Sequence, residues 1–188
     1  MTRGTISHRA VMRLAAGMMK GHFSGMSNDR PEPSSPACLA HEADDAYMGY
    51  ATTDELAAFL NELLEAERAG TGVALRSGEA AVGTNFADLL RDVHHDEARW
   101  CAMLLKQLKV LGVPASTRIG AFQEKALAIP GLPERMAFLN RGQGWVVKKL
   151  REMLPKVRDD GLHRDLAEML QSHEVNIART NEALKAGG

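Results

Sequence analysis

Apolar side chains recur at alternating spacings of three and four residues along four long segments of the chain. This period places the apolar positions on one face of an amphipathic α-helix. The four seams are, in chain order, Leu56, Leu60, Leu63, Glu67, Gly70 and Ala74; Phe86, Leu90, Val93, Glu97, Trp100, Leu104 and Leu108; Met136, Leu139, Gln143, Val146, Leu150 and Met153; and Leu162, Leu166, Leu170, His173, Ile177, Thr180 and Leu184. Because no β-branched run alternates with a period of two, the sequence predicts an all-α fold.

Capping residues predict where three of these helices begin. Thr52 and Glu55 have the spacing of a capping box, in which each side chain bonds the backbone N–H of the other residue. Pro133 suits the first turn of the third long helix. Asp159 or Asp160 is the expected N-cap of the fourth.

The lengths of the connections predict how the helices are arranged. Short turns join the first helix to the second, predicted over 84–111, and the third to the fourth, so each pair should be antiparallel. The connection at 112–132, with one short helix predicted at 121–129, is long enough to run back along a helix of roughly 30 Å. The sequence therefore predicts a four-helix bundle with a long crossover between helices 2 and 3, the arrangement of ferritin-like folds.

The N-terminal quarter of the chain differs in composition from the predicted bundle. Residues 1–36 are expected to form a flexible tail, 37–51 an extended arm, and 52–188 the bundle. The arm carries residue types that bind metals, but zinc usually needs a second Cys or His pair, so a surface acidic turn is the preferred interpretation. These arm residues are Cys38, His41, Glu42, Asp44 and Asp45.

Composition limits the kinds of partner that the chain is expected to have. Its 188 residues are 45% hydrophobic and 25% charged, with a formal net charge of −1. A near-neutral chain lacks the basic surface of nucleic-acid binding, and no apolar run is long enough to span a membrane. Two distant cysteines favour a reducing, cytoplasmic location. A homodimer is the expected assembly.

Each seam carries one polar or charged residue near its middle, where an apolar one would be expected. These residues are Glu67, Glu97, Gln143 and His173. In a bundle they should face one another at about one level. A carboxylate on an apolar seam is costly unless it is paired or bound to a metal. Two carboxylates and an imidazole together suit iron, manganese or zinc.

The stretch VHHDEARW (93–100) adds a third candidate ligand type to the second helix. His94 lies three residues before Glu97 and therefore shares a helical face with it. It could be a metal ligand, a hydrogen-bond partner of Glu97, or a histidine bonded to a neighbouring helix. His95 and Asp96 are expected to face solvent.

Four segments resemble ferritin-like proteins, close to the rubrerythrin-type bundles: ELLEAERAG (62–70), DEARWCAML (96–104), LNRGQGWVVKKLREMLP (139–155) and LAEMLQSHEVNIAR (166–179). The likeness covers about residues 52–185. Residues 34–70 further resemble the front of an uncharacterised bacterial group with this fold. The resemblance implies a ferritin-like bundle and, at matching positions, the ligands of a di-iron centre.

Only part of that di-iron pattern is present. Glu67 matches the glutamate of helix 1, and Glu97 matches the carboxylate of the Glu-x-x-His motif of helix 2, but Trp100 stands in place of its histidine. On helix 3, Gln143 stands where the family has glutamate. Helix 4 keeps its histidine, His173, without the preceding carboxylate.

Three hypotheses follow for function. The first is a single metal ion, iron or manganese ahead of zinc, held by Glu67, Glu97 and His173 with His94 or Gln143 assisting. Such a centre would bind O₂ or peroxide where ligands are missing. The second is a metal-free bundle for dimerisation or partner binding, in which these residues and the Trp100 indole form a buried polar network. The third is a small-ligand pocket beside Trp100 and Trp145. Whether the chain is an enzyme stays open.

Overall fold

Four long helices and one short helix account for most of residues 46–186, the part of the chain that the computed structural model describes. The helices are α1 (Thr53–Ala80), α2 (Ala87–Val110), α3 (Phe122–Leu127), α4 (Leu132–Met153) and α5 (Asp160–Ala186), and a 3-10 turn (Leu154–Lys156) joins α4 to α5. Residues 46–186 contain no strand, which confirms the all-α prediction. The predicted tail and the metal-type residues of the arm lie outside the described residues.

The predicted caps form at the helix ends. The Thr52 hydroxyl accepts from the Glu55 N–H at 3.2 Å, and the Glu55 carboxylate accepts from the Thr52 N–H at 2.8 Å. Asp159 caps α5 by accepting from the N–H of Leu162 at 2.7 Å. α2 begins at Ala87, later than the predicted residue 84, because the Thr84 side chain is used in the preceding turn.

Cross-helix pairs fix the direction of the helices. Lys149 of α4 binds Glu62 of α1, and Arg135 of α4 lies near Ser77 of α1, so these helices are antiparallel. Contacts between α2 and α5 show that these two helices are also antiparallel. Since α1 and α2 form an antiparallel hairpin, α2 and α4 run in the same direction. The connection between them therefore returns along the bundle.

Hydrogen bonds hold the first part of this returning connection against α1. Asn61 donates to the carbonyl of Pro114 at 3.2 Å and accepts from the N–H of Ser116 at 2.6 Å. The Ser116 hydroxyl donates to Glu65, and the Arg68 guanidinium donates to the Ser116 carbonyl. These contacts place α3 over the groove between α1 and α4.

Two apolar clusters fill the bundle, and the polar residues of the seams lie between them. One cluster includes Phe59, Leu63, Leu104, Leu150 and Leu166, and the other includes Val73, Leu90, Val93, Met136 and Leu139. The predicted seams of α1, α2 and α4 are buried except at their end residues Leu56 and Met153.

The predicted seam of α5 is wrong by one residue at two positions. Met169 and Asn176 are buried, whereas Leu170 and Ile177 are only partly buried. Asn176 faces inward because its amide binds Asp96 of α2. Within residues 46–186, no helix is both long and apolar enough to cross a membrane.

Candidate functional site

The polar residues of the four seams meet in the middle of the bundle. His173 Nε2 lies 3.2 Å from Glu67 Oε1, and the Gln143 amide donates to Glu97 Oε1 at 3.2 Å. Each of the four side chains is at most 3% exposed. All four line one cavity of about 300 Å³, which opens between α1 and α4. The structure thus brings together Glu67, Glu97, Gln143 and His173, one from each long helix.

Two backbone features orient these side chains. A Cβ atom at Gly70 would lie only 2.4–2.6 Å from the Glu97 carboxyl atoms, so the absence of a side chain at position 70 makes room for that carboxyl group. His173 Nδ1 lies 3.0 Å from the carbonyl oxygen of Met169. Because a carbonyl only accepts, Nδ1 must donate there, and Nε2 is the nitrogen left to face the cavity.

Four polar atoms at the cavity lack a hydrogen-bond partner among residues 46–186. They are Glu67 Oε2, Glu97 Oε2, Gln143 Oε1 and His173 Nε2. Nε2 is close to Glu67 Oε1 but outside the alignment of a hydrogen bond. Leaving such a group buried and unpaired costs about 1–3 kcal/mol each. The cavity therefore offers a bound ligand several free lone pairs.

Burial and the charges of neighbouring side chains shift the pKa values of two residues in the site. Burial, and then repulsion from Glu67, raises the pKa of Glu97 well above its ordinary 4.5. Burial is the largest single influence on His173 and would lower its pKa, but the nearby Glu67 carboxylate, the Met169 carbonyl and Asp96 together outweigh burial and raise that pKa above its ordinary 6.5. Without a bound cation, protons therefore balance part of the negative charge of the two carboxyl groups.

The walls of the cavity are largely apolar, while its mouth carries two ion-paired carboxylates. Ala66, Leu139 and Val146 form wall surface. Glu62 and Glu65 lie among the lining residues, and α3 begins at the same opening. Each of these carboxylates is held in an ion pair, Glu62 with Lys149 and Glu65 with Arg118, so the free acceptors of the cavity lie at its base.

Two of the predicted site residues lie outside this cavity. His94 Nδ1 is 3.3 Å from the carbonyl oxygen of Thr71, and His94 lines a separate groove beside the α1–α2 turn. Trp100 is buried in the apolar cluster, with Arg99 stacked 4.3 Å from its ring. Trp145, in contrast, does line the cavity and is 38% exposed.

The prediction that His95 and Asp96 face solvent is right for His95, which is exposed, whereas Asp96 is half-buried. The Asp96 carboxylate accepts from the Ser172 hydroxyl and from the Asn176 amide, each at 2.9 Å. The shift of the α5 seam hid this contact, since Asn176 was not on the predicted seam. Gly70 was on a predicted seam, but spacing alone did not show that it makes room for Glu97.

The donor types suit a metal ion, although no complete ligand set is already assembled. Two carboxylates, an imidazole and an amide oxygen are typical ligands of iron or manganese. Within residues 46–186, however, no three His, Cys, Asp or Glu side chains lie close enough together to hold a metal without moving. Cys101 offers no thiolate, because burial raises its pKa to about 11.

Comparisons with known proteins identify the family of this bundle. The family model described as "Domain of unknown function (DUF6306)" matches residues 54–182, which span most of α1 to α5. No curated protein and no solved structure matches the chain. The match covers well over half of the 188 residues, so the chain belongs to the DUF6306 family.

Proposed function

We propose that this protein is a ferritin-like bundle that binds a metal ion through Glu67, Glu97 and His173, with Gln143 beside them. Two antiparallel hairpins and a long connection that returns along the bundle support the ferritin-like part of the proposal. The contribution of one polar side chain from each long helix supports the metal site, since bundle cores hold metals on facing helices in this way.

The observation that carries the proposal is the set of unpartnered atoms at the cavity. A polar network that served only to fix the packing would be expected to satisfy its own atoms. Here Glu67, Glu97, Gln143 and His173 each keep one nitrogen or oxygen without a partner among the described residues. A bound cation would use these lone pairs and would balance the buried carboxylates.

Iron and manganese fit the donor set better than softer metals, because carboxylate and amide oxygens outnumber nitrogen and no thiolate takes part. Either metal would supply a centre for reaction with O₂ or peroxide. The protein's own part would be to hold the ion at the base of the cavity, with His173 oriented by the Met169 carbonyl.

The competing interpretation is a metal-free bundle for dimerisation or partner binding. Two features favour it: Gln143 already binds Glu97, and among residues 46–186 no ready-made three-ligand group exists. Water in the cavity would then satisfy the remaining atoms. The two interpretations differ in whether a metal is bound, which can be measured directly.

The test is metal analysis of untagged protein purified without chelator, followed by titration with Fe²⁺, Mn²⁺ and Zn²⁺. We expect about one equivalent of iron or manganese, retained in Glu168→Ala and lost in Glu67→Ala and Glu97→Ala. Glu168 is a suitable control because it is exposed and binds only at the surface to Arg99. Wild type that contains no metal and binds none on titration would overturn the proposal in favour of the metal-free bundle.

The expected homodimer stays a prediction. Leu105 and Val110 are exposed on α2, but five residues apart they lie about 140° from each other around the helix and form no single apolar patch. Sedimentation velocity of the full chain would show whether the monomer or the dimer is the main species.

A further inference from the structure

The cavity is larger than a single ion requires. Its volume is about 300 Å³, whereas an engineered apolar cavity of roughly 150 Å³ is enough to hold benzene. With only an ion at its base, the remaining space would be filled by water against Ala66, Leu139 and Val146. Apolar walls above a polar base instead suit a molecule that has a polar head and a hydrocarbon body.

The base of the cavity calls for a head group that donates hydrogen bonds and carries positive charge. Glu67 and Glu97 supply buried carboxyl groups, and the free oxygen of Gln143 can only accept. An ammonium group has three N–H donors and no acceptor. It would satisfy these oxygens and take over the charge balance that bound protons otherwise provide at the two carboxyl groups.

The mouth of the cavity already holds an ammonium group of the chain itself. The Lys149 Nζ atom lies 3.0 Å from Glu62 and 5.2 Å from the centre of the Trp145 ring. Carboxylate and aromatic face together form the usual surroundings of an alkylammonium ion in proteins. The opening thus suits an alkylammonium group, but both of its carboxylates are already paired, Glu62 with Lys149 and Glu65 with Arg118, so attraction for an added amine comes from the base of the cavity.

We propose that the cavity binds a small primary amine, with its ammonium group at Glu67, Glu97 and Gln143 and its hydrocarbon body against the apolar walls. This inference rests on the proposed cation site and names a second class of cation for it. Because the head group and a metal ion would use the same oxygens, the amine and the metal compete.

Calorimetry on metal-free wild-type protein tests the amine without any variant. Benzylamine is the probe, and benzyl alcohol is its matched control with the same ring and an uncharged head. We expect benzylamine to bind about 10-fold more tightly or better, since a charged hydrogen bond is lost in the alcohol. Equal affinities, or no binding of benzylamine, would overturn the proposal.

Variants then locate the bound molecule. Glu67→Gln should weaken benzylamine binding about 10-fold, while Glu168→Gln leaves it unchanged. Ala66→Leu fills part of the cavity and should weaken benzylamine but not Mn²⁺, whereas Ala102→Leu, the same change at an exposed position of α2, should affect neither. Benzylamine binding that withstands both Glu67→Gln and Ala66→Leu would place the amine elsewhere and overturn the proposal.

Titration of Mn²⁺ against the benzylamine complex separates this inference from the proposed metal site. Displacement of the amine by Mn²⁺ supports both. Binding of Mn²⁺ with no affinity for benzylamine overturns the amine and leaves the metal site standing. Binding of benzylamine without any binding of metal supports the amine site and overturns the metal site. If neither benzylamine nor Mn²⁺ binds, both proposals are overturned.

Discussion

Two sets of polar side chains join the helices near the middle of the bundle, and they differ in how well they are satisfied. On the α2–α5 side, Asp96 accepts from Ser172 and Asn176, so a buried amide has its partner. In the centre, Glu67 and Glu97 lie beside an imidazole and an amide, yet each keeps one carboxyl oxygen without a partner among residues 46–186.

This difference separates polar residues that hold helices together from residues that are available to a ligand. Side chains whose hydrogen bonds are all made, such as those around Asp96, should contribute to the free energy of unfolding. Removing any one of them should destabilise the protein. The central set, which consists of Glu67, Glu97, Gln143 and His173, should destabilise the metal-free protein. Binding of a cation should restore that stability. The same kinds of side chain therefore predict opposite responses to substitution.

The largest effect is expected at Asp96. Asp96→Ala leaves the buried Asn176 amide and the Ser172 hydroxyl without their acceptor, and should lower the free energy of unfolding by about 2–3 kcal/mol. Urea unfolding would measure it, with Asp88→Ala as the control because Asp88 is exposed and pairs only with Arg91 in the same helix. A loss as small as that of the control would show that the α2–α5 set is not structural.

Gly70→Ala should displace the Glu97 carboxyl group from its position in the cavity. The new Cβ would overlap the Glu97 carboxyl group and should turn this flexible group away from Gln143, so the usual gain of about 1 kcal/mol in helix propensity should be cancelled or reversed. Metal affinity should fall as well. Gly144→Ala is the control, because open space surrounds that position in α4 and the change should stabilise the helix by about 1 kcal/mol.

A shorter carboxylate should rescue this variant. Adding Glu97→Asp to Gly70→Ala withdraws the carboxyl group from the new methyl group, so the double variant should recover part of the lost stability. Urea unfolding of the four proteins in the cycle would measure the coupling. Strict additivity of the two changes would contradict the steric role of Gly70.

Glu97→Gln should stabilise the metal-free protein in a pH-dependent way. Because the folded-state pKa of Glu97 is raised above 4.5, its favourable contribution is complete below that pH and is lost as pH rises through the folded value. Glutamine does not titrate and can still accept from Gln143. The advantage of the variant should therefore grow between about pH 5 and about pH 8.

Unfolding curves in chelator across that pH range would check this prediction. Wild type and variant whose stabilities run parallel from acid to alkaline pH would show that Glu97 carries no raised pKa. With Mn²⁺ present, wild type should become more stable than the variant, since the variant lacks a proposed ligand and wild type gains binding energy.

The helical period allowed most of the fold to be predicted from the sequence. Thr52 and Asp159 mark helix ends by local hydrogen bonds, which depend on a few neighbouring residues and can therefore be read from the chain. The level of Glu67 and Glu97 was also predictable, since a charged residue on an apolar seam interrupts a regular pattern. The confirmed features are thus local or periodic.

The features that could not be predicted depend on how one helix is rotated against its neighbour. Leu170 looked more suitable for the core than Asn176, yet Asn176 is buried because Asp96 of α2 offers it a partner. His94 lies at a seam edge, where a small rotation decides between the cavity and the Thr71 carbonyl. Spacing within one helix carries no information on such contacts between helices.

The smallest effect is expected at Glu168, on the same side of the bundle as Asp96. Its ion pair with Arg99 joins α2 to α5 at 3.0 Å, but both side chains are more than half exposed. Such pairs contribute about 0–1 kcal/mol because water screens them, so Glu168→Gln should change the free energy of unfolding by less than about 0.5 kcal/mol. Urea unfolding at low and high salt would measure it. A loss approaching that of Asp96→Ala would mean that exposed ion pairs, rather than the hydrogen bonds of Asp96 to Ser172 and Asn176, hold α2 to α5.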